Sequence, residues 1–136
     1  DAILSMGMSK QAVLQFEFRA QNHRKTELTD NIEEHPPSIR ITANGPATYP
    51  STWIAPQSLP HRFKNGIQMV HSDDAGGYLC NQTFFLASQY ATSQSNKPPV
   101  AFIHIPPRTE DGGQMVSETA EAISDFLEWS LPLLPI

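Results

Sequence analysis

Residues 67–105 constrain this chain more tightly than any other stretch. Ile67-Gln68-Met69-Val70-His71 reads as a strand, Ser72 to Gly77 as a turn, and Tyr78 to Tyr90 as a helix, with Leu79, Thr83, Leu86 and Tyr90 at helical spacing. Residues 92–99 form a loop. Val100-Ala101-Phe102-Ile103-His104-Ile105 is then a strongly apolar run of the length of a buried strand, and Pro106-Pro107 ends it. Strand, helix and strand in this order predict a parallel, right-handed crossover, and with it an α/β protein.

The flanking segments fit around that unit. Ala2-Ile3-Leu4-Ser5-Met6-Gly7 is a short apolar run ending in Gly, expected to be a buried interior strand whose neighbour comes from an N-terminal portion that precedes this chain. Phe16, Phe18 and Ala20 alternate with polar residues between Gln15 and Gln21, as in a half-buried strand. Residues 22–38 are polar and Pro-rich, and read as a surface excursion. Ser38 to Thr42 is expected to form a short edge strand before the Asn44-Gly45-Pro46 turn, and Pro56 to Asn65 a short helix stopped by Gly66. A last helix over 116–130 should bury Val116, Ala120, Ile123 and Leu127, with Glu118 and Glu121 in its dipole-favoured first turn. At 136 residues, positions 1–136 fit one domain.

Composition removes several function classes. A net charge of −5 and the lack of any Lys/Arg stripe beyond His23-Arg24-Lys25 argue against a nucleic-acid partner. No apolar run approaches the roughly 20 residues that span a bilayer, so no membrane partner is expected. The single Cys rules out an internal disulfide and fits a reducing, cytoplasmic setting, where the Asn81-Gln82-Thr83 sequon is incidental. His23, His35, His61 and His71 show no ligand spacing, so neither a metal nor another cofactor is expected.

The residues with chemistry sit on the crossover. Cys80 falls in the first turn of the helix, where the helix dipole is expected to favour a thiolate and lower its pKa. His104 lies near the carboxyl end of the following strand, so the crossover is expected to carry both towards one edge of the sheet. Cys and His are the minimum unit for thiol nucleophilic catalysis, in which His takes a proton and later returns it. A third group should orient the imidazole, and Glu17 is the candidate. Each of the three also has a structural explanation: a thiol filling a core, an imidazole satisfied at a strand end, a carboxylate on the wet face of a strand.

Their neighbours distinguish these readings. Ser72-Asp73-Asp74-Ala75-Gly76-Gly77-Tyr78-Leu79-Cys80-Asn81 resembles the nucleophile segment of the pyroglutamyl peptidase I family, a Ser followed after a short gap by Ala-Gly-x-Tyr-(Leu/Val)-Cys-Asn. Phe102-Ile103-His104-Ile105-Pro106 is similar to the family's His segment, and Glu17-Phe18-Arg19-Ala20-Gln21-Asn22 to its acidic segment. Asp30-Asn31 and Gly45-Pro46-Ala47-Thr48-Tyr49 fit two further stretches, and the separations between segments agree with the family's pattern.

This resemblance implies a three-layer α/β/α sandwich with a largely parallel, twisted sheet, lacking its N-terminal portion. It implies a cysteine peptidase that removes N-terminal pyroglutamate from peptides, with Cys80 as nucleophile, His104 as base and then acid, and Glu17 holding the imidazole. The Cys80 backbone N–H, at a helix start, is the implied oxyanion donor. Leu79, Met8 and Lys10 are the implied substrate-binding residues. Met8 stands where the family carries the Gln that binds the lactam, and Lys10 is the available cation where the family's Gly-Gly-Arg is replaced. The expected partner is a peptide with a blocked N-terminus, and homo-oligomer formation is left open. The alternative reading is a catalytically impaired homologue that acts as a peptide-end binding or interaction domain. With Met8 in place of Gln, the preference for pyroglutamyl substrates should be weak or altered. Losing a polar partner from a pocket built around a lactam costs on the order of 10⁴-fold in discrimination. Comparing kcat/KM on a pyroglutamyl amide with that of a complete family member checks this, and equal values would refute it.

Overall fold

The computed structural model describes residues 1–25, 27–29, 32–108 and 116–134. Asp30-Asn31, one of the resembling stretches, therefore lies outside the described residues. Among the described residues the main sheet has five strands: β1 (Ile3–Met8), β2 (Leu14–Glu17), β5 (His61–Arg62), β6 (Gln68–Ser72) and β7 (Val100–Ile105). Their spatial order is β1-β7-β2-β6-β5. A two-stranded ribbon, β3 (Arg19–Gln21) with β4 (Thr48–Pro50), lies beside it. Helices α1 (Leu79–Ser93) and α2 (Val116–Ser130) cover the two faces.

The layering follows from alternation along β7, since successive side chains of a strand point to opposite faces. Ala101 and Ile103 join Leu14, Phe16 and Met69 against Ala122 and Phe126 of α2. Val100 and Phe102 face the other way, against Phe84, Phe85 and Ala91 of α1. The result is an α/β/α arrangement with a mixed sheet: β1/β7 and β2/β6 are parallel, while β2/β7 and β5/β6 are antiparallel. Among the described residues no helix is long and apolar enough to cross a membrane.

Several expectations are overturned. The crossover from β6 through α1 to β7 does not join parallel neighbours, because β2 intervenes, parallel to β6 and antiparallel to β7. The carboxyl ends of β6 and β7 therefore lie at opposite edges of the sheet. Among the described residues β1 pairs with β7 on one side, and the neighbour expected on its other side, from a preceding portion, is not part of this chain. The strand expected over 15–21 is divided between two sheets at Phe18, whose N–H donates to Ser72 O (2.8 Å) and whose carbonyl accepts from Ser51 N (2.8 Å).

Residues 38–42 form no strand. The Asn22 side chain takes the backbone groups a ladder would use, accepting from Thr42 N (2.9 Å) and donating to Thr42 O (2.8 Å). The helix expected over 56–65 is only a 3-10 turn at Pro56–Ser58. Pro60 disfavours the helical conformation at Leu59, which is extended (φ −112°, ψ 152°). The chain then enters the β5–β6 hairpin, where Gly66 (φ 87°) adopts the left-handed conformation a turn requires rather than ending a helix.

Both helices are also rotated from the expected faces. Leu79, Leu86 and Tyr90 are exposed, whereas Asn81, Phe84, Phe85, Ser88 and Ala91 are buried. On α2 the buried set is Thr119, Ala122, Phe126 and Ser130, with Val116 exposed and Ile123 and Leu127 at the margin. Ser130 is drawn inward by Trp53, whose indole N–H donates to Ser130 Oγ (3.0 Å). Phe126 packs among Phe16, Trp53 and Trp129. Phe126→Ala should destabilise the protein by about 3–5 kcal/mol, read as a lower urea midpoint at unchanged slope.

Candidate functional site

Glu17 closes β2 opposite Phe102 of β7, and Gln15 lies opposite His104. Directly paired residues share a face, so Glu17, Phe102 and His104 all face α1. The carboxylate reaches along the pleat, and Glu17 Oε1 lies 2.7 Å from His104 Nδ1. Both side chains are buried, Glu17 at 0% exposure. Its placement comes from strand order: β2 lies between β7 and β6 under two helical layers, so the polar alternation around Glu17 marks an inward charge instead of a wet face. An ionised carboxylate only accepts, so His104 Nδ1 donates, and Nε2 of the neutral ring is left as an acceptor. Glu17 Oε2 has no hydrogen-bond partner among the described residues.

Cys80 reaches the same face from above. Gly7 of β1 is the register partner of His104, and a Cβ built on Gly7 would stand 2.6 Å from Cys80 Sγ and 3.0 Å from Phe102 Cζ. No real side chain fits there, so the bare backbone of Gly7 lets the thiol and the Phe102 ring settle against the sheet. The Phe102 and His104 rings meet edge to face at 5.1 Å. Thiol, phenyl ring, imidazole and carboxylate thus gather on the α1 side of the sheet. This face, not a shared edge of parallel strand ends, is where the structure collects them.

Electrostatics run against the expected thiolate. Burial pushes the Cys80 thiol above the ordinary cysteine range, the Glu17 carboxylate pushes it the same way, and only the Cys80 backbone N–H opposes them. Taking a charge out of water outweighs the helix start here. The first intrahelical bond is Gln82 N–H to Tyr78 O (3.1 Å), so the N–H groups of Leu79, Cys80 and Asn81 precede it. Asp73 and Asp74 turn away: Asp73 accepts from His71 Nε2 (2.8 Å), and Asp74 Oδ1 accepts from Gly76 N (2.9 Å).

The expected substrate-binding residues are not all gathered with this group. Met8 sits one step beyond Gly7, so it faces the α2 side of the sheet, where with Met6, Ile105, Val116 and Ile123 it lines an apolar groove. Lys10 is exposed in the turn after β1. Leu79 precedes the thiol and is exposed, lining a cleft of about 320 Å³ with Arg24, Pro36, Pro37, Tyr78 and Gln82. Sequence reasoning missed Gly7, although a Gly within an apolar strand signals that something approaches the backbone closely. It also missed Phe102, whose ring looks like any other core residue in sequence. The Asn81 sequon is occluded, since Asn81 is buried and its amide nitrogen donates two hydrogen bonds.

Comparison with known proteins gives one consistent picture. The pyroglutamyl peptidase family model matches residues 2–121. A pyrrolidone-carboxylate peptidase of Brevibacillus brevis is 28% identical over 110 residues, covering 80% of this chain and 51% of that protein. One from Clavibacter michiganensis is 30% identical over 112 residues, covering 82% and 52%. Among solved structures, pyrrolidone carboxyl peptidase from Thermus thermophilus superposes with a TM-score of 0.79 at 29% identity, over 93% of this chain and 68% of that one. That from Thermococcus litoralis gives 0.82 at 22% identity, over 96% and 66%, a likeness of fold. The chain spans about half the length of the curated relatives it matches.

If the buried carboxylate raises the thiol pKa, Glu17→Gln should lower it. The pH midpoint for alkylation of Cys80 by iodoacetamide should lie above that of a free cysteine in the native protein, and move down towards it in the variant. A midpoint that stays put, or moves up, would show that the charge of Glu17 does not reach the thiol.

Proposed function

Because the chain belongs to the pyroglutamyl peptidase family, we propose that it serves as a cysteine peptidase that removes pyroglutamate from the N-terminus of peptides, with Cys80, His104 and Glu17 as its catalytic unit. The observation that carries this reading is the buried 2.7 Å contact between His104 Nδ1 and Glu17. It sets the tautomer whose Nε2 can accept a proton, on the face of the sheet that also holds the thiol.

The chemistry follows from a thiol that rests protonated. As Cys80 Sγ attacks the carbonyl carbon of the pyroglutamyl residue, His104 Nε2 takes the thiol proton, and the imidazolium is stabilised by Glu17. The carbonyl electrons move onto oxygen, and the early N–H groups of α1, that of Cys80 among them, would receive the charge. When the tetrahedral species collapses, the C–N bond breaks and His104 returns the proton to the departing amine. Water then adds to the thioester with His104 again as base, releasing pyroglutamate and restoring the thiol.

A second reading, a peptide-end binder that does not cut, is favoured by the raised thiol pKa and by Met8 facing away from the thiol. Turnover of a fluorogenic pyroglutamyl amide separates the two. For the peptidase, Cys80→Ala and His104→Ala should each lower kcat by at least about 10⁴-fold, and the double variant should be no worse than either single one. Glu17→Gln should cost less, roughly 10²–10³-fold. Binding of the amide without turnover by the native protein would establish the binder instead.

A further inference from the structure

Helix α1 begins without a cap. Tyr78, at the N-cap position, makes no side-chain hydrogen bond to the first turn, and no acidic residue lies in that turn. An uncapped helix start ordinarily frays. Yet this turn carries the thiol, and the thiol must hold its station over Gly7. Asn81, the next residue, shows how. It is buried, and its side chain grips the chain leaving β3 at three points. Oδ1 accepts from Gln21 N (2.8 Å), and Nδ2 donates to Gln21 O (2.8 Å) and His23 O (3.1 Å). The grip is two-sided, since one amide satisfies both the donor and the acceptor of Gln21.

What it grips is as important as the grip. β3 continues directly from β2 through Phe18, which is itself bonded to Ser72 and Ser51. Asn81 therefore joins the thiol-bearing turn to the strand that carries Glu17 by a short, hydrogen-bonded path. We infer that Asn81 is a positioning residue, whose side-chain clamp on Gln21 and His23 holds the first turn of α1, and so Cys80, at a fixed station relative to Glu17 and His104. It touches no reacting atom itself. Other hydrogen bonds also reach this turn: Arg24 Nε–H donates to Gln82 Oε1 (3.0 Å), Lys25 N–H donates to Gly77 O (2.8 Å), and the Tyr78 hydroxyl donates to Thr29 O (2.7 Å). None of them runs to the residues adjoining β2 as the Asn81 clamp on Gln21 does.

The catalytic consequence rests on the peptidase reading above, so the test has one arm that needs no turnover. Cys80 alkylation by iodoacetamide is followed against pH in the whole chain, with and without Glu17→Gln, in native and Asn81→Ala backgrounds. In the native background Glu17→Gln lowers the alkylation midpoint. In the Asn81→Ala background, folded by circular dichroism, the same change should shift the midpoint by less than half as much, because the turn no longer stands at a set distance from the carboxylate. Turnover of a pyroglutamyl amide should fall on the order of 10²-fold, mostly in kcat, as expected when a nucleophile is misplaced by about 1 Å. Asn81→Ser, which keeps a short donor and acceptor, should recover part of both effects and serves if the Ala variant does not fold. A folded Asn81→Ala protein in which Glu17→Gln shifts the midpoint as in the native chain would overturn the proposal, whatever its melting temperature, and so would the full native shift in Asn81→Ser if that variant alone folds. Failure of both variants to fold would do the same, assigning Asn81 to stability alone. If the native protein turns over no pyroglutamyl amide while the alkylation pattern appears as expected, the peptidase reading fails and the positioning role stands.

Discussion

The contact between Glu17 and His104 places a demand that much of the surrounding structure meets. A carboxylate with no exposed surface has given up its hydration, and one neighbour at 2.7 Å is what it receives in return. Breaking such a buried pair by removing one member costs roughly 3–5 kcal/mol, because the other is stranded. For the pair to form, β2 must lie directly beside β7, in the antiparallel register that sets Glu17 opposite Phe102 and Gln15 opposite His104. A slip of β2 by one residue would turn Glu17 into the apolar layer of Ile103 and Phe126 and turn Phe16 out of it. The hydrophobic pattern on the opposite face thus locks the register that the polar pair needs.

That same alternation separates the molecule into two chemical halves. The α2 side is largely an aromatic and aliphatic layer, with the Trp53–Ser130 hydrogen bond set into it. The α1 side carries Phe84, Phe85 and Phe102, but at the end of β7 it gives way to imidazole, carboxylate and thiol. Gly7 makes this possible by contributing no side chain where Cys80 and Phe102 come down on β1. The shielding that stabilises the hydrogen bond also raises the pKa of the thiol, by burial and by the nearby carboxylate. Packing and chemistry are here two consequences of one low-dielectric surface.

Much of the local structure was legible in sequence. Val100–Ile105 and the helix from Val116 to Ser130 stand where the residue pattern put them, and the strand near Ile67–His71 and the helix after Gly77 are displaced only slightly. The errors have identifiable causes. Apolar spacing alone does not choose a helix face, because Leu79, Leu86 and Tyr90 form an apolar stripe as regular as the buried one. What decides between stripes is the sheet, which receives the bulk of Phe84 and Phe85. The segment over 38–42 had strand composition but lost its backbone groups to the side chain of Asn22, distant in sequence.

The sequence by itself determined the kinds of element, most of their limits, and the identity of a lone thiol, an imidazole at a strand end and a carboxylate embedded among phenylalanines. These are readable because periodicity, turn chemistry and residue type act over a few neighbouring positions. Only the tertiary structure decided that β2 enters between β6 and β7, that Glu17 is dry, that the thiol's pKa is raised, and that Gly7 and Asn81 set where Cys80 stands. Those properties belong to pairs of residues distant along the chain. Burial and electrostatic coupling depend on which strand lies beside which, and no local pattern encodes that choice.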